Sequence, residues 1–507
     1  MFALLGLLLI IMIIMAPSVT MGNDDRVSSV HGEGPMIAIS YKATGDALAE
    51  EALKALGKAT EFLRSISTHG GYLWRYSEDL RERWGEGKAS QTQIWVQPPG
   101  TPSVGMAFLR AYEVTGDRRY LDAAKEAADA LAWGQLESGG WTYYIDFSPR
   151  WSQKWYRRAD KGKLSPKEIS GRRNWTSFDD NTTQNALRFL MALVQTGGSP
   201  QDERDRRIWD AMEYGLQGLL RAQYPNGAWP QGYDGRRYKP EEHPIKRAWI
   251  PEEWPRTPPR RRPYWIYYTF NDNAISDCIL TLLDAYRRFG RSEYLEAAKK
   301  GGDFIIMAQL PEPQPVWAQQ YDFDMKPAWA RKFEPPAVCS AESVGVIRTL
   351  VELFLATGEE RYLEPIPAAI GWFQRSQIVP NLWARFYELG TNRPLYFTKD
   401  YRLVYTDDDL PTHYSFKGSY GVRSAIAFYR SVRQEGRERY LERRGRSRLS
   451  SEQREKRRKS LAPRVRKIIL AQDEKGRWVK DGYIEMRAFT KNMRLLCDYL
   501  EVAEEQK

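Results

Sequence analysis

The chain of 507 residues is 42% hydrophobic, 13% aromatic and 28% charged, which excludes a disordered polymer and provides for a sizeable core. Three cysteines (Cys278, Cys339, Cys497) exclude a disulfide framework. Four histidines without a paired spacing exclude a structural zinc site, and the formal charge of +11 is local, with 15 Lys/Arg against 5 Asp/Glu in residues 433–467 and a remainder near neutral.

Residues 2–16 form an uninterrupted apolar run followed by Pro17. It is shorter than the roughly 20 residues of a membrane span and fits the hydrophobic part of an export signal within residues 1–22. An uncleaved N-terminal anchor is the alternative, and would be the chain's only contact with a membrane. The expected location is secreted or periplasmic.

From residue 40 to 507 the pattern is helical and repetitive. Apolar residues recur at three- and four-residue spacing in AEEALKALGKATEFLRSI, GMAFLRAYEVTG, QNALRFLMALVQTG, ISDCILTLLDAYRRFG and GVIRTLVELFLATG. Three of these end in a glycine turn followed by a Tyr-Leu helix start, at Thr115, Phe289 and Thr357. The second helix of each unit runs into a strip bearing Gly or aromatic residues: GGYLW, GGWTYY, GAWPQ, PVWAQQ and NLWARFY. Units of helix, turn, helix and aromatic loop must stack to bury a common face, and their spacing is too irregular for a simple solenoid. The fold expected is all-α, an α/α toroid with long loops on one face forming a cleft. A proline-rich insertion at residues 239–265 should be an irregular rim on that face.

Two loop-to-helix junctions match across the repeat: Ser177-Phe178-Asp179-Asp180-Asn181 and Thr269-Phe270-Asn271-Asp272-Asn273. Helix capping would explain one Asp or Asn at each. It does not explain three consecutive carboxylate or amide side chains twice, since such clustering is repulsive without a neutralising cation. Oxygen donors without His or Cys point to a hard cation, calcium before magnesium, held from within these two runs, which include the candidate ligands Asp180, Asn181 and Asp272. A second cluster, at residues 317–343, brings Lys326, Arg331, Lys332 and Glu334 beside Trp329 and Phe333. Arg385 and Arg393 follow in LWARFYELGTNRP. Guanidinium groups match carboxylates and aromatic faces stack on sugars, so Lys326, Arg385, Arg393 and Trp229, together with Asp180 of the first run, are candidate substrate contacts; solvated loop charges and core aromatics are the structural alternative.

Together SFDDNTTQNALRFL, NGAWPQ, YTFNDNA, VWAQQYD, KPAWARKFEPPAVCSAES, WARFYELGTNRP and YSFKGSYGV resemble the pectate lyases of polysaccharide lyase family ten, over about residues 170–425 and in the family's order. The resemblance implies an α/α toroid, a calcium ion and β-elimination of polygalacturonate. It implies Arg331 as Brønsted base, Asp272 as calcium and substrate-carboxylate ligand, and Asp179, with Asp180 beside it, as a second important acid. A guanidinium holds its proton above pH 12 unless perturbed; crowding by calcium and other arginines is expected to lower that value and give an alkaline optimum. Around residues 399–409, KDYRLVYTDDD lacks an expected Arg-Asp-Gly pattern, which leaves a non-catalytic polysaccharide-binding protein as one alternative. An α/α-barrel hydrolase using Asp180 and Asp272 is the other. The partner expected is an anionic polysaccharide bound by a monomer. The basic residues 433–467 carry Tyr440 as their lone aromatic and read as a solvated helix or charged linker, so no nucleic-acid partner is expected.

Overall fold

The computed structural model describes residues 46–445 and 449–503; the apolar run at 2–16 lies outside them. Fifteen α-helices are described. They begin with α1 (Ala47–Ile66), the hairpin α2 (Thr101–Thr115) and α3 (Arg118–Gly134), and the short α4 (Pro149–Lys154) and α5 (Pro166–Ser170). The hairpins α6 (Thr182–Gly197) with α7 (Glu203–Arg221) and α8 (Ala274–Phe289) with α9 (Ser292–Ala308) follow, then α10 (Ser340–Thr357) with α11 (Ile366–Arg375). The last four are α12 (Val422–Glu435), α13 (Arg437–Gly445), α14 (Ser451–Leu470) and α15 (Met486–Ala503).

The first helices of the hairpins form an inner layer, in which α15 packs on α2, α2 on α6, α6 on α8, α8 on α10 and α10 on α12. The second helices, α3, α7 and α9, pack outside them, and α1 and α14 cover α15. This all-α ring of hairpins is the expected toroid. Burial follows position. The outer α7 buries one stripe, Ile208, Ala211, Met212, Gly215, Leu216 and Leu219, whereas the inner α10 buries residues on every side. The glycine turns are helix C-caps: Gly116, Gly290 and Gly358 take φ of 69°, 67° and 76°, which a residue with a Cβ adopts at a cost. The third Tyr-Leu start departs from expectation. Pro365 and Pro367 break it into a 3-10 turn, Glu360–Tyr362, and the short α11.

The aromatic strips form the loop face and hold short strands. Thr176–Ser177 pairs with Gly232–Tyr233 before α6, Tyr268–Thr269 with Gln320–Tyr321 before α8, and Ala337–Cys339 with Phe386–Glu388 before α10. The strip tryptophans plug the ends of the outer helices. The indole N–H of Trp141 donates to Leu131 O, that of Trp229 to Leu219 O, of Trp317 to Ile305 O and of Trp383 to Phe373 O, all at 2.8–3.0 Å. Each satisfies a carbonyl that a helix C-terminus leaves without a partner. A fifth copy, Trp478 to Ile468 O at 2.9 Å, extends the repeat into the C-terminal part. The basic stretch there is helical: α13 buries nothing and α14 only Leu461 and Val465. The three cysteines are buried and unpaired, and no helix among the described residues is long and apolar enough to cross a membrane.

Candidate active site

The turn Asp179–Asn181 before α6 and the turn Asn271–Asn273 before α8 lie against each other on the loop face. Both contain two consecutive left-handed residues, Asp180 and Asn181 in one, Asp272 and Asn273 in the other. Neither helix receives a capping hydrogen bond from its Asn, so capping does not account for the acidic residues. One carboxylate oxygen from each of Asp179, Asp180 and Asp272 lies within 4.8 Å of the others. The Tyr143 hydroxyl donates to Asp179 at 2.6 Å, and the Gln97 amide donates to Asp180 at 2.6 Å. The Asn271 amide bridges the two turns, donating to Asp272 at 2.7 Å and to Asp179 at 3.3 Å.

This crowding has a price in ionisation. Burial, then the charge of Asp272, raises the Asp179 carboxyl to about 6, against the lowering pull of Tyr143 and Arg331. Burial, then Asp272, Asp179 and Glu86, holds Asp180 well above the usual carboxylate range. The donors are all oxygen, carry like charges and converge from two turns, a set that fits a hard cation. Asn181, also expected as a ligand, has its amide oxygen buried without a hydrogen-bond partner.

Arg331 stands in the field of this acidic wedge and is held by Glu334, whose side chain is 1% exposed. Its Nε and Nη2 donate to the Glu334 carboxylate at 2.9 and 2.6 Å, and its backbone N–H donates at 3.0 Å. The Arg331 guanidinium lies 5.0 Å from the Phe333 ring centroid and 5.7 Å from that of Tyr414, whose hydroxyl donates to Glu334 at 3.2 Å. Burial works against the charge of Arg331, but Glu334, with Tyr414 and Asp272, outweighs it and raises the pKa well above the ordinary arginine value. The expected lowering is therefore reversed, because the nearest charge is a carboxylate.

Three other expected contacts are placed differently. Trp229 is fully buried and committed to Leu219 O, so it is a core residue and not a sugar platform. The Arg385 side chain is 11% exposed, pairs with Glu342 at 3.1 Å and lies over the Tyr414 ring at 4.4 Å. Glu342 in turn accepts the Asn273 backbone N–H at 3.3 Å, so Arg385 supports the second turn from below and is not an open uronate ligand. Lys326 pairs with Asp322 at 3.6 Å, and Arg393 lies exposed over the Tyr405 ring at 3.7 Å; no contact described joins either to the wedge. Sequence reading missed Tyr143, Gln97, Glu342 and Tyr414 and gave Glu334 no role, although Glu334 and Glu342 both lie in KFEPPAVCSAES.

Residues 147–380 match the family model described as pectic acid lyase. No curated protein matches the chain. Among solved structures the chain is similar to a family 10 polysaccharide lyase from Cellvibrio cellulosa, at 22% identity and a TM-score of 0.43 over 66% of this chain and 98% of that one. A variant of the Cellvibrio lyase in complex with trigalaturonic acid is similar at 21% identity, with the same TM-score and coverage. A GH76 alpha-mannanase from Bacteroides thetaiotaomicron is similar at 10% identity and a TM-score of 0.41, over 90% of this chain and 96% of that one. Asp179, Asp180, Asp272 and Arg331 all fall inside the segment that matches the family model, and the chain, carrying this pectic acid lyase domain, is a polysaccharide lyase.

Proposed function

We propose that the chain is a pectate lyase that cleaves polygalacturonate by calcium-assisted β-elimination, releasing 4,5-unsaturated oligogalacturonides. The observation that carries this reading is the convergence of Asp179, Asp180 and Asp272 within 4.8 Å, in the field of Arg331 and inside the pectic acid lyase segment. Elimination removes the C5 proton of a uronate, alpha to a carboxylate, so the carbanion forms beside an existing negative charge. A calcium ion held by the three aspartates would supply the withdrawal of charge that makes this carbon acid accessible. Tyr143 and Gln97 orient two of those aspartates, and Arg385 with Glu342 braces the turn that carries the third.

Arg331 is the proposed acceptor of the C5 proton. Its bonds to Glu334 use Nε and Nη2, not Nη1. Glu334 favours the protonated guanidinium, so the reacting fraction grows only as pH rises, and an alkaline rate profile follows. A hydrolase is the weaker reading, because it needs two carboxylates on opposite sides of a glycosidic bond, whereas these three crowd one point. The apolar run at 2–16 supports export as the route to a pectic substrate.

The test is ultraviolet absorbance of the unsaturated product from polygalacturonate at alkaline pH, with calcium and then with chelator. A calcium-dependent rise that Arg331→Ala abolishes is expected. Reducing ends released without absorbance would overturn elimination in favour of hydrolysis.

A further inference from the structure

Six large apolar side chains are exposed among the described residues, and three of them, Ile245, Trp249 and Trp265, belong to the proline-rich insertion. Isolated exposed apolar residues need no explanation, but three on one 27-residue excursion beside an active site do. The insertion is tied down along its length. Ala248 N–H donates to Met307 O at 2.8 Å, the Trp249 indole to Asp324 O at 3.1 Å, and the Trp329 indole returns a bond to Pro255 O at 2.8 Å. Its last turn, Tyr264–Ile266, is fixed at the site itself. The Tyr224 hydroxyl donates to Ile266 O at 2.6 Å, and Arg262 donates to Ala330 O, next to Arg331. On its other side this turn packs on strand Gly232–Tyr233, which pairs with Thr176–Ser177, two residues before Asp179.

The turn therefore bridges the strand that delivers the acidic wedge and the loop that delivers Arg331. At its tip Trp265 is 44% exposed, with its ring edge-on to Tyr264 at 5.4 Å between centroids. An indole carried on this fixed backbone, with close to half its surface open, offers a flat apolar face to the C–H face of a pyranose while the carboxylates of a uronide point elsewhere. We propose that the tip of the insertion is a carbohydrate-stacking subsite, in which Trp265 holds a pyranose unit of the uronide chain beside the reacting one. This rests on the proposed function for the identity of the sugar.

A platform of this kind binds substrate and transition state alike, so its loss raises KM and spares kcat. Initial rates on polygalacturonate are to be compared for wild type, Trp265→Ala, Trp265→Phe and Ile245→Ala, with intrinsic fluorescence titrated by trigalacturonate as a second readout. Trp265→Ala should raise KM about tenfold with kcat within about twofold, Trp265→Phe should recover most of the loss, and Ile245→Ala, at an exposed residue that holds nothing in place, should change neither. The saturable fluorescence change of wild type should disappear in Trp265→Phe. Wild-type cleavage with an unchanged KM in Trp265→Ala would overturn the subsite alone, as would a fall confined to kcat or an equal effect of Ile245→Ala. A wild type that neither binds nor cleaves galacturonides would overturn the proposed function and the uronide subsite together.

Discussion

Without a cation the acidic wedge should destabilise the protein, and Asp179→Asn isolates that cost. Asp179 titrates at about 6 in the folded chain against an ordinary 3.8, a gap of about 3 kcal/mol at 1.36 kcal/mol per pH unit. Its folded pKa is raised, so the native state binds the proton more tightly than the unfolded chain. The protein therefore loses stability as pH rises from about 4 to about 6, and the loss persists above that window. The variant removes the charge but keeps an oxygen for the Tyr143 hydroxyl. It forfeits the 3.3 Å bond from the Asn271 amide, worth about 1 kcal/mol. In chelator at pH 8, Asp179→Asn should thus be more stable than wild type by about 2 kcal/mol, and the advantage should vanish near pH 4. Urea unfolding of both proteins at the two pH values measures it. Added calcium should stabilise wild type more than the variant, because a ligand stabilises the state that binds it. A variant less stable than wild type at pH 8, or a gain equal at both pH values, would refute the reasoning.

Glu334→Gln removes the charge that raises the Arg331 pKa, so the rise of lyase rate with pH should move to lower pH; a profile that falls in amplitude without moving would show that Arg331 is not the base. The same variant leaves Arg331 one acceptor oxygen but no anionic partner and should cost about 2 kcal/mol in urea unfolding, less than a fully buried pair because Arg331 is partly solvated. Trp229→Ala should cost about 3–5 kcal/mol as a core truncation while KM of the folded fraction stays unchanged; a selective rise in KM would restore Trp229 as a substrate contact.

The helices were legible because their period and their glycine caps are local properties of the chain, and most hairpins sit where the pattern puts them. Their third copy was misread where Pro365 and Pro367 cut the pattern short. Strands two or three residues long carry no period to read, so the pairs that set the loop face were invisible in sequence. Asp179, Asp180 and Asp272 were legible because each lies in a run of three polar side chains that recurs one unit later. Their partners were not. Tyr143 and Gln97 arrive from other hairpins, and no local spacing names the carboxylate each will meet. Trp229 shows the complementary failure: a strip such as GAWPQ carries no sign of which face its aromatic will take, and here the helix carbonyl wins over the sugar.

A third inner helix separates what the fold demands of these turns from what function adds. Before α12, Tyr420 and Gly421 take φ of 48° and 74°, the same left-handed pair found at Asp180 and Asn181 (49° and 58°) and at Asp272 and Asn273 (47° and 61°). The inner helices α2 and α10 begin instead from extended residues, Gly100 and Cys339, so the turn is local to α6, α8 and α12, and at α12 it forms without an acid. An ordinary L residue pays about 1–2 kcal/mol there, which Asn and Asp reduce, and that preference selects a small polar side chain without selecting its charge. Neither Asn181 nor Asn273 uses its side chain to cap its helix, and the third turn has Gly421 in that place. Asparagine at positions 179, 180 and 272 would satisfy the backbone equally well and spare the burial of charge, and then the repulsion from Asp272, that raise Asp179 to about 6. Aspartates kept where the fold gains nothing from their charge, and aimed at one point, are the arrangement a cation-dependent reaction on an acidic substrate requires.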